Sequence, residues 1–289
     1  MPVIDELRAW YAPRARAYPW RSRPTPYRVL VSEVMLQQTQ ASRVAPAFRS
    51  FLRRFPSVRS LAAAPAADVV RAWAGLGYDR RAVRLLEAAR AIVEEHAGRV
   101  PRDPAALRAL PGVGPYTAAA VASIAFGEPV PAIDVNVARV VARYRLGREA
   151  HQERADRVRD AAEAWLDRRD PGGWNQALMD LGREVCRPTP RCAACPLASG
   201  CAFRRAGRRP ARGPRRQGRF EGSFRQVRGR VLALLRERGE ASLGRVESAV
   251  GDHRVAEAVR ALANDGLVSA GPAALAGRPS GRVRLGSGW

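Results

Sequence analysis

The chain contains no lysine. All 50 of its basic side chains are arginine, set against 27 acidic ones, so a formal net charge of +23 rests wholly on guanidinium groups. Without an ε-amine no side chain can form an imine with a sugar carbon, which removes lysine Schiff-base chemistry; only the α-amine of Met1 is left. Histidine is nearly as scarce: His96, His151 and His253 stand singly and read as solvated surface residues. No run of eighteen apolar residues occurs, and the first ten residues place Asp5, Glu6 and Arg8 in an amphipathic pattern, unlike a signal peptide or a membrane span. A cytoplasmic protein without a membrane partner is expected.

What is present is core and positive charge. A hydrophobic content of 46% over 289 residues is ample for two or three compact units. Guanidinium groups bind phosphates bidentately and release condensed counterions, so the surplus favours a nucleic-acid partner. A GC-rich genome would explain the missing lysine but not the sign of the imbalance.

Apolar residues recur at three and four up to about residue 203, which predicts a nearly all-α unit. Helices are expected near 2–12, 27–39, 42–54, 66–74, 79–97, 104–110, 115–126, 134–145, 152–168 and 173–185, with Trp73, Trp165 and Trp174 as packing residues. Residues 204–230 hold eleven arginines against one glutamate, the composition of a basic linker. Beyond it, "VRGRVLALLRERG", "SLGRVESAVG" and "HRVAEAVRALANDGLVSAG" predict three short helices and a terminal hairpin. That is the plan of a winged-helix module, or else of a small helical cap.

The stretch "LPGVGPYTAAA" at 110–120 would break a helix, yet both flanks are helical. Glycine at 112 and 114 permits positive φ, and the N–H groups of Gly112, Val113 and Gly114 would then precede a helix N-terminus, an anion-binding arrangement. A plain interhelical turn is the other reading. Two carboxylates stand out as well. Glu33 lies among Val31, Val34 and Met35, where desolvation raises a carboxyl pKa and suits a general acid. Asp134 follows the apolar "VPAI" at a helix start, where the dipole favours its ionised form. Taken singly, an N-cap and a surface helix residue would also account for them.

Together with "YPWR" (18–21), "SEVMLQQTQ" (32–40), "GLGY" (75–78), "DVNVARV" (134–140) and "NQALMDLG" (175–182), these segments over residues 7–203 resemble the helix-hairpin-helix DNA glycosylases, and specifically the adenine DNA glycosylase (MutY) family. The resemblance implies a mostly α, two-lobed fold. Its iron-sulfur lobe would take residues 1–21 and 134–203, and its six-helix barrel lobe with the helix-hairpin-helix residues 22–133. A linker at 204–223 and a winged-helix-like module at 224–289 would follow. It implies a monomeric base excision repair enzyme in the bacterial cytoplasm, acting on double-stranded DNA with a mismatched or damaged base and releasing adenine opposite guanine or 8-oxoguanine. Glu33 matches the acid that protonates the purine and Asp134 the carboxylate facing the deoxyribose, with Asn136 placing Asp134 and water. Gln38 and Tyr78 match intercalating residues, with Gln37, Thr39 and Leu76 beside them, and Trp20, Arg21 and Gln176 match the base pocket. At Tyr116, related endonuclease III enzymes carry a lysine that attacks the sugar; tyrosine cannot, so a monofunctional enzyme is expected.

Cys186, Cys192, Cys195 and Cys201 fall within sixteen residues. In a cytoplasmic protein such clustering argues for a metal or cluster rather than disulfides, and zinc is compatible with the ligand chemistry. The spacing resembles the family's [4Fe-4S] loop, its first gap one residue shorter, and Arg187 and Arg191 in it are placed to reach a phosphate. Two alternatives remain open: the same scaffold acting on hypoxanthine, uracil or mismatched thymine, and a non-catalytic DNA-binding protein. Residues 204–289 are too short and wrongly patterned for the nucleotide-pyrophosphatase-like domain that usually reads 8-oxoguanine in the family.

Overall fold

Proline and glycine punctuate the sequence where the structure turns. In the computed structural model, which describes residues 2–13, 15, 18–211 and 218–286, helices α1 (Pro2–Tyr11), α2 (Pro26–Leu36), α3 (Ala41–Arg54), α4 (Val58–Ala62), α5 (Ala66–Ala72) and α6 (Arg80–Glu95) come first. Then follow α7 (Pro104–Ala109), α8 (Pro115–Phe126), α9 (Val135–Val141), α10 (Ala155–Glu163), α11 (Pro171–Glu184) and α12 (Ala202–Arg205). The C-terminal part adds α13 (Phe224–Arg238), β1 (Glu240–Ser242), α14 (Leu243–Val250), α15 (Val255–Asn264), β2 (Val268–Ala270), α16 (Pro272–Leu275) and β3 (Arg282–Leu285). Met1 and positions 212–217 of the expected basic linker lie outside the described residues.

Two compact units emerge. The first comprises the described residues within Met1–Glu33, Pro101–Ala109 and Val113–Arg215. Its core gathers on α11, where Trp174, Ala177, Leu178 and Leu181 are buried with Leu7 of α1 and Val137, Val140 and Val141 of α9. Trp165 stacks on Tyr144 at 4.5 Å and meets Trp174 edge-on at 5.2 Å. Asn175 is buried and fully used: its Oδ1 accepts from Ala132 N at 3.0 Å, and its Nδ2 donates to Ser123 Oγ at 2.9 Å and Val130 O at 3.0 Å. It thereby ties α8 to the segment leading into α9. Beyond α9 the helix widens into a π turn over Ala142–Leu146, which seats buried Arg143 against Glu149 (Nη2 to Oε1 2.7 Å).

The second unit joins the described residues of Val34–Val100, Leu110–Gly112 and Arg216–Trp289. Phe48, Phe51, Trp73, Leu61 and Leu85 are buried in it, with Trp73 edge-on to Phe51 at 6.0 Å. The C-terminal residues form the expected helices plus a three-stranded antiparallel sheet of order β1-β3-β2, with Glu240 opposite Arg284 and Val268 opposite Leu285. They are not a separate body. Val70 of α5 and Val83 of α6 are buried in the same apolar cluster as Val227, Val231 and Leu235 of α13 and Val283 of β3.

Candidate active site

In the first unit, Glu33 sits on α2 with only 5% of its surface exposed, as its apolar neighbours Val31, Val34 and Met35 dictate. Tyr116, in the first turn of α8, donates its hydroxyl hydrogen to Glu33 Oε2 at 2.7 Å and lies 3.6 Å from Met179 Sδ. Burial pushes the Glu33 carboxyl up to about 7; the tyrosine's hydrogen bond works against the rise and the charge of Asp134 adds to it. Burial also holds the Tyr116 phenol well above its usual range, so it remains a donor.

Asp134 is the N-cap of α9. Its Oδ1 accepts from Asn136 N at 2.9 Å and Val137 N at 2.7 Å, and Oδ2 accepts from Asn136 Nδ2 at 2.8 Å. The carboxylate is therefore fixed in orientation by the helix it starts. Asn136 is fixed in turn: Arg139 Nη2 donates to its Oδ1 at 2.8 Å and to Gly182 O at 2.7 Å, while Arg139 Nε donates to Cys186 O at 2.6 Å. A Cβ on Gly182 would fall 2.8 Å from Asn136 Cβ, so only glycine lets α11 approach α9 this closely.

A second polar group flanks α11. Arg21 binds Asp180 with both prongs, Nη1 to Oδ2 at 3.0 Å and Nη2 to Oδ1 at 3.2 Å, and lies over the rings of Tyr18 and Tyr11. Trp20 is buried and stacks on Tyr18 at 4.7 Å. Tyr11 donates to Gln176 Oε1 at 3.0 Å, which orients that amide. Tyr11 and Asp180 were not singled out in the sequence; "WY" and "MDLG" mark them only once their partners are known.

In the second unit, Gln38 (φ 57°) and Tyr78 (φ 49°) both adopt left-handed backbone conformations, uncommon for residues with side chains of this size. Tyr78 is 43% exposed, whereas Leu76 is 2% exposed and packs inward as an interior residue rather than standing out beside Tyr78. Thr39 Oγ1 donates to Leu76 O at 3.2 Å, joining the two turns. The larger tie is Arg81, which the sequence did not reveal among so many arginines. Its Nη1 reaches Val34 O and Met35 O at 2.8 Å and Gln37 O at 2.6 Å, its Nη2 reaches Thr39 Oγ1 and Gly77 O at 2.9 Å, and its Nε reaches Tyr78 O at 3.3 Å. A guanidinium thus satisfies the last carbonyls of α2 and the turn before α6 together. Burial lowers its pKa to about 10.

At the hairpin between α7 and α8, Gly112 has φ 75°, and a Cβ there would fall 2.6 Å from Arg84 Cβ. Gly114 corrects the expectation for this turn: at φ −84° and ψ 175° it is an ordinary extended N-cap for α8 and needs no positive φ. Val113 between them is buried.

Cys186, Cys195 and Cys201 are half-buried and Cys192 is exposed, all as free thiols. Burial pushes the Cys195 thiol up to about 11. Among the described residues no three His, Cys, Asp or Glu side chains converge closely enough to hold a single metal ion. The donor set is nonetheless all-thiol, and Arg143 closes its base, donating to Arg187 O at 2.6 Å and Pro188 O at 3.0 Å with Cys186 Sγ at 3.7 Å.

A helical fold with a glycine hairpin feeding α8 is that of the helix-hairpin-helix class of base excision proteins. The family model described as HhH-GPD superfamily base excision DNA repair protein matches residues 31–173. Among solved structures, a thermostable thymine-DNA glycosylase aligns with TM-score 0.66 and 28% identity over 71% of this chain and 95% of its own. An endonuclease III in a non-covalent DNA complex, at 23% identity and TM-score 0.60 over 71% of this chain and 96% of its own, shares the fold. The adenine DNA glycosylase of Mycobacterium tuberculosis (strain ATCC 25618 / H37Rv) is 48% identical over 236 residues, 80% of this chain and 77% of that protein. The human adenine DNA glycosylase is 42% identical over 210 residues, 68% of this chain and 38% of its own length. The chain belongs to the adenine DNA glycosylase family.

Proposed function

We propose that the protein hydrolyses the N-glycosidic bond of adenine mispaired with guanine or 8-oxoguanine in double-stranded DNA, and leaves an intact abasic site. The observation that carries this reading is Glu33: a buried carboxyl pushed up to about 7, with one oxygen held by Tyr116. In the proposed mechanism Oε1 carries the proton to the purine, which makes the base a better leaving group. Asp134, kept in place by two backbone N–H groups and Asn136, faces the deoxyribose and stabilises or captures the cationic carbon until water adds. Trp20, Arg21 and Gln176 receive the extruded base, Gln38 and Tyr78 with Gln37 and Thr39 stand at the gap it leaves while Leu76 stays in the interior, and Gly112, Val113 and Gly114 approach a backbone phosphate. In this reading residues 1–21 and 134–203 make up the iron-sulfur lobe, 22–133 the six-helix barrel lobe and 224–289 a winged-helix-like module, and the enzyme acts as a monomer in the bacterial cytoplasm.

Cys186, Cys192, Cys195 and Cys201 would hold a [4Fe-4S] cluster, which supplies folding energy to its loop. Support comes from the all-thiol donor set; brown protein with four irons per chain is expected, and stoichiometric zinc without iron would overturn it. The decisive assay is base release from duplexes with adenine opposite guanine, 8-oxoguanine or cytosine, and with hypoxanthine, uracil or thymine as the target base. Adenine release without strand cleavage is expected. A high yield of borohydride-trapped covalent adduct would refute the monofunctional mechanism, since no lysine is available to form one.

A further inference from the structure

Asp79 occupies the N-cap position of α6, where an aspartate ordinarily accepts from the first free N–H groups of the helix, yet its side chain caps nothing. The carboxylate is taken instead by Arg236 of α13, Nη2 to Oδ1 at 2.6 Å, with both side chains largely buried. Arg236 also donates through Nε to Val70 O at 3.1 Å, and its own carbonyl accepts from Arg71 Nε at 3.4 Å. On the far side of the turn, Arg80 reaches Asp265, 3.4 Å away, which also pairs with Arg228 of α13. Both helices that bracket the turn, α5 through Val70 and α6 through Val83, share the apolar core of the C-terminal residues. Tyr78, in its left-handed conformation, immediately precedes the gripped Asp79.

We propose that the C-terminal module is a scaffold for the Tyr78 turn during base extrusion, with Arg236 as the positioning residue that transmits it. The inference rests on the reading of Tyr78 as a residue that enters the gap. The alternative use of such a module, laying α15 into a groove of DNA, is poorly served by what α15 exposes. Val255, Ala258, Val259 and Leu262 are buried, the exposed positions are Glu257, Arg260 and Asn264, and Asp265 after it is already paired. One arginine beside one glutamate is not a phosphate-binding face. What the module does present to the turn is the Arg236 guanidinium, paired with Asp79.

The test compares the full-length wild type with Arg236→Ala, Asp79→Asn and the charge-reversed pair Asp79→Arg/Arg236→Asp. Extrusion is followed by the fluorescence of 2-aminopurine placed beside adenine opposite guanine, chemistry by single-turnover adenine release, and stability by thermal unfolding. Each single variant should slow extrusion and release about tenfold while the alkaline limb of the pH profile stays in place, because Glu33 is untouched. The reversed pair should recover most of the loss. Single variants that are destabilised yet extrude at the wild-type rate well below their Tm would reduce the contact to a purely structural one and overturn the proposal. Should Arg236→Ala not fold, Asp79→Asn, which can still cap α6, decides on the same readout. A wild type that releases no adenine would sink the functional reading itself, whereas normal release by the wild type and by both single variants would sink the scaffold alone.

Discussion

At Glu33 stability and chemistry pull in opposite directions. A carboxyl whose folded pKa lies near 7 and whose unfolded value lies near 4.5 binds more protons in the native state across that window. Its contribution is fully favourable below about pH 4.5 and is lost as pH rises through about 7, by about 3 kcal/mol in order of magnitude. Glu33→Gln should therefore raise stability above pH 7, read by urea unfolding at pH 8, and cut single-turnover adenine release roughly 100-fold or more. In the wild type, release should fall as pH passes about 7, because the acid must be protonated. Tyr116→Phe tests the partner. The hydroxyl bond lowers the Glu33 pKa, so its removal should move the alkaline limb to higher pH while lowering the maximal rate; an unmoved limb would show that the bond plays no part in tuning the acid. Much of this was legible in advance, since Val31, Val34 and Met35 announce the burial of Glu33. The Tyr116 bond was not, because the two residues are 83 apart in sequence and only the packing of α8 brings them together. For Asp134 the structure shows the cap, and under the proposed mechanism the same capping bonds would aim the carboxylate at the sugar.

At the level of elements, the turns at 36–39 and 75–79 derive their shape from Arg81. Two residues in left-handed conformations cost of order 1 kcal/mol each, and such geometry persists only where surrounding contacts over-determine it. Arg81→Met keeps the stem and removes every guanidinium hydrogen bond to the two turns, leaving the last carbonyls of α2 without that partner. A loss of about 2–4 kcal/mol in urea unfolding is expected, with a larger drop in adenine release from duplex DNA than Arg81→Lys produces. Equal effects of methionine and lysine would show that the forked geometry is immaterial. The sequence did not single out Arg81 because its role lies in its acceptors, all of them backbone or threonine oxygens, whereas "DRRAVR" reads like any other basic helix start. Helix periodicity located the long helices to within a few residues. It missed α4, whose start is a Ser57/Ser60 capping box, and the π turn at Ala142–Leu146, where one extra residue widens the helix without a composition signal.

For the whole chain, the sharpest departure from sequence expectation concerns residues 218–286. Composition marks a basic linker at 204–223, and a winged-helix-like module at 224–289 is expected to follow it. In the structure Val70 and Val83 are buried among Val227, Val231, Leu235 and Val283, and a Cβ on Gly286 would fall 2.5 Å from Ala67 N. Periodicity within each helix shows that an apolar face exists but not which partner covers it. If this core is continuous, removing residues 218–289 uncovers apolar side chains on α5 and α6, each worth about 1.5–3 kcal/mol when buried, together with the carboxylate of Asp79. The shortened chain should then lose amide protection throughout α5 and α6, while α8, α9 and α11 of the other unit keep theirs. In the full-length protein, hydrogen exchange should give α5, α6 and α13 one common opening free energy. A truncated chain with undiminished protection in α5 and α6 would show that the C-terminal residues are a passenger, and the Arg236 contact with Asp79 would lose its structural basis along with them.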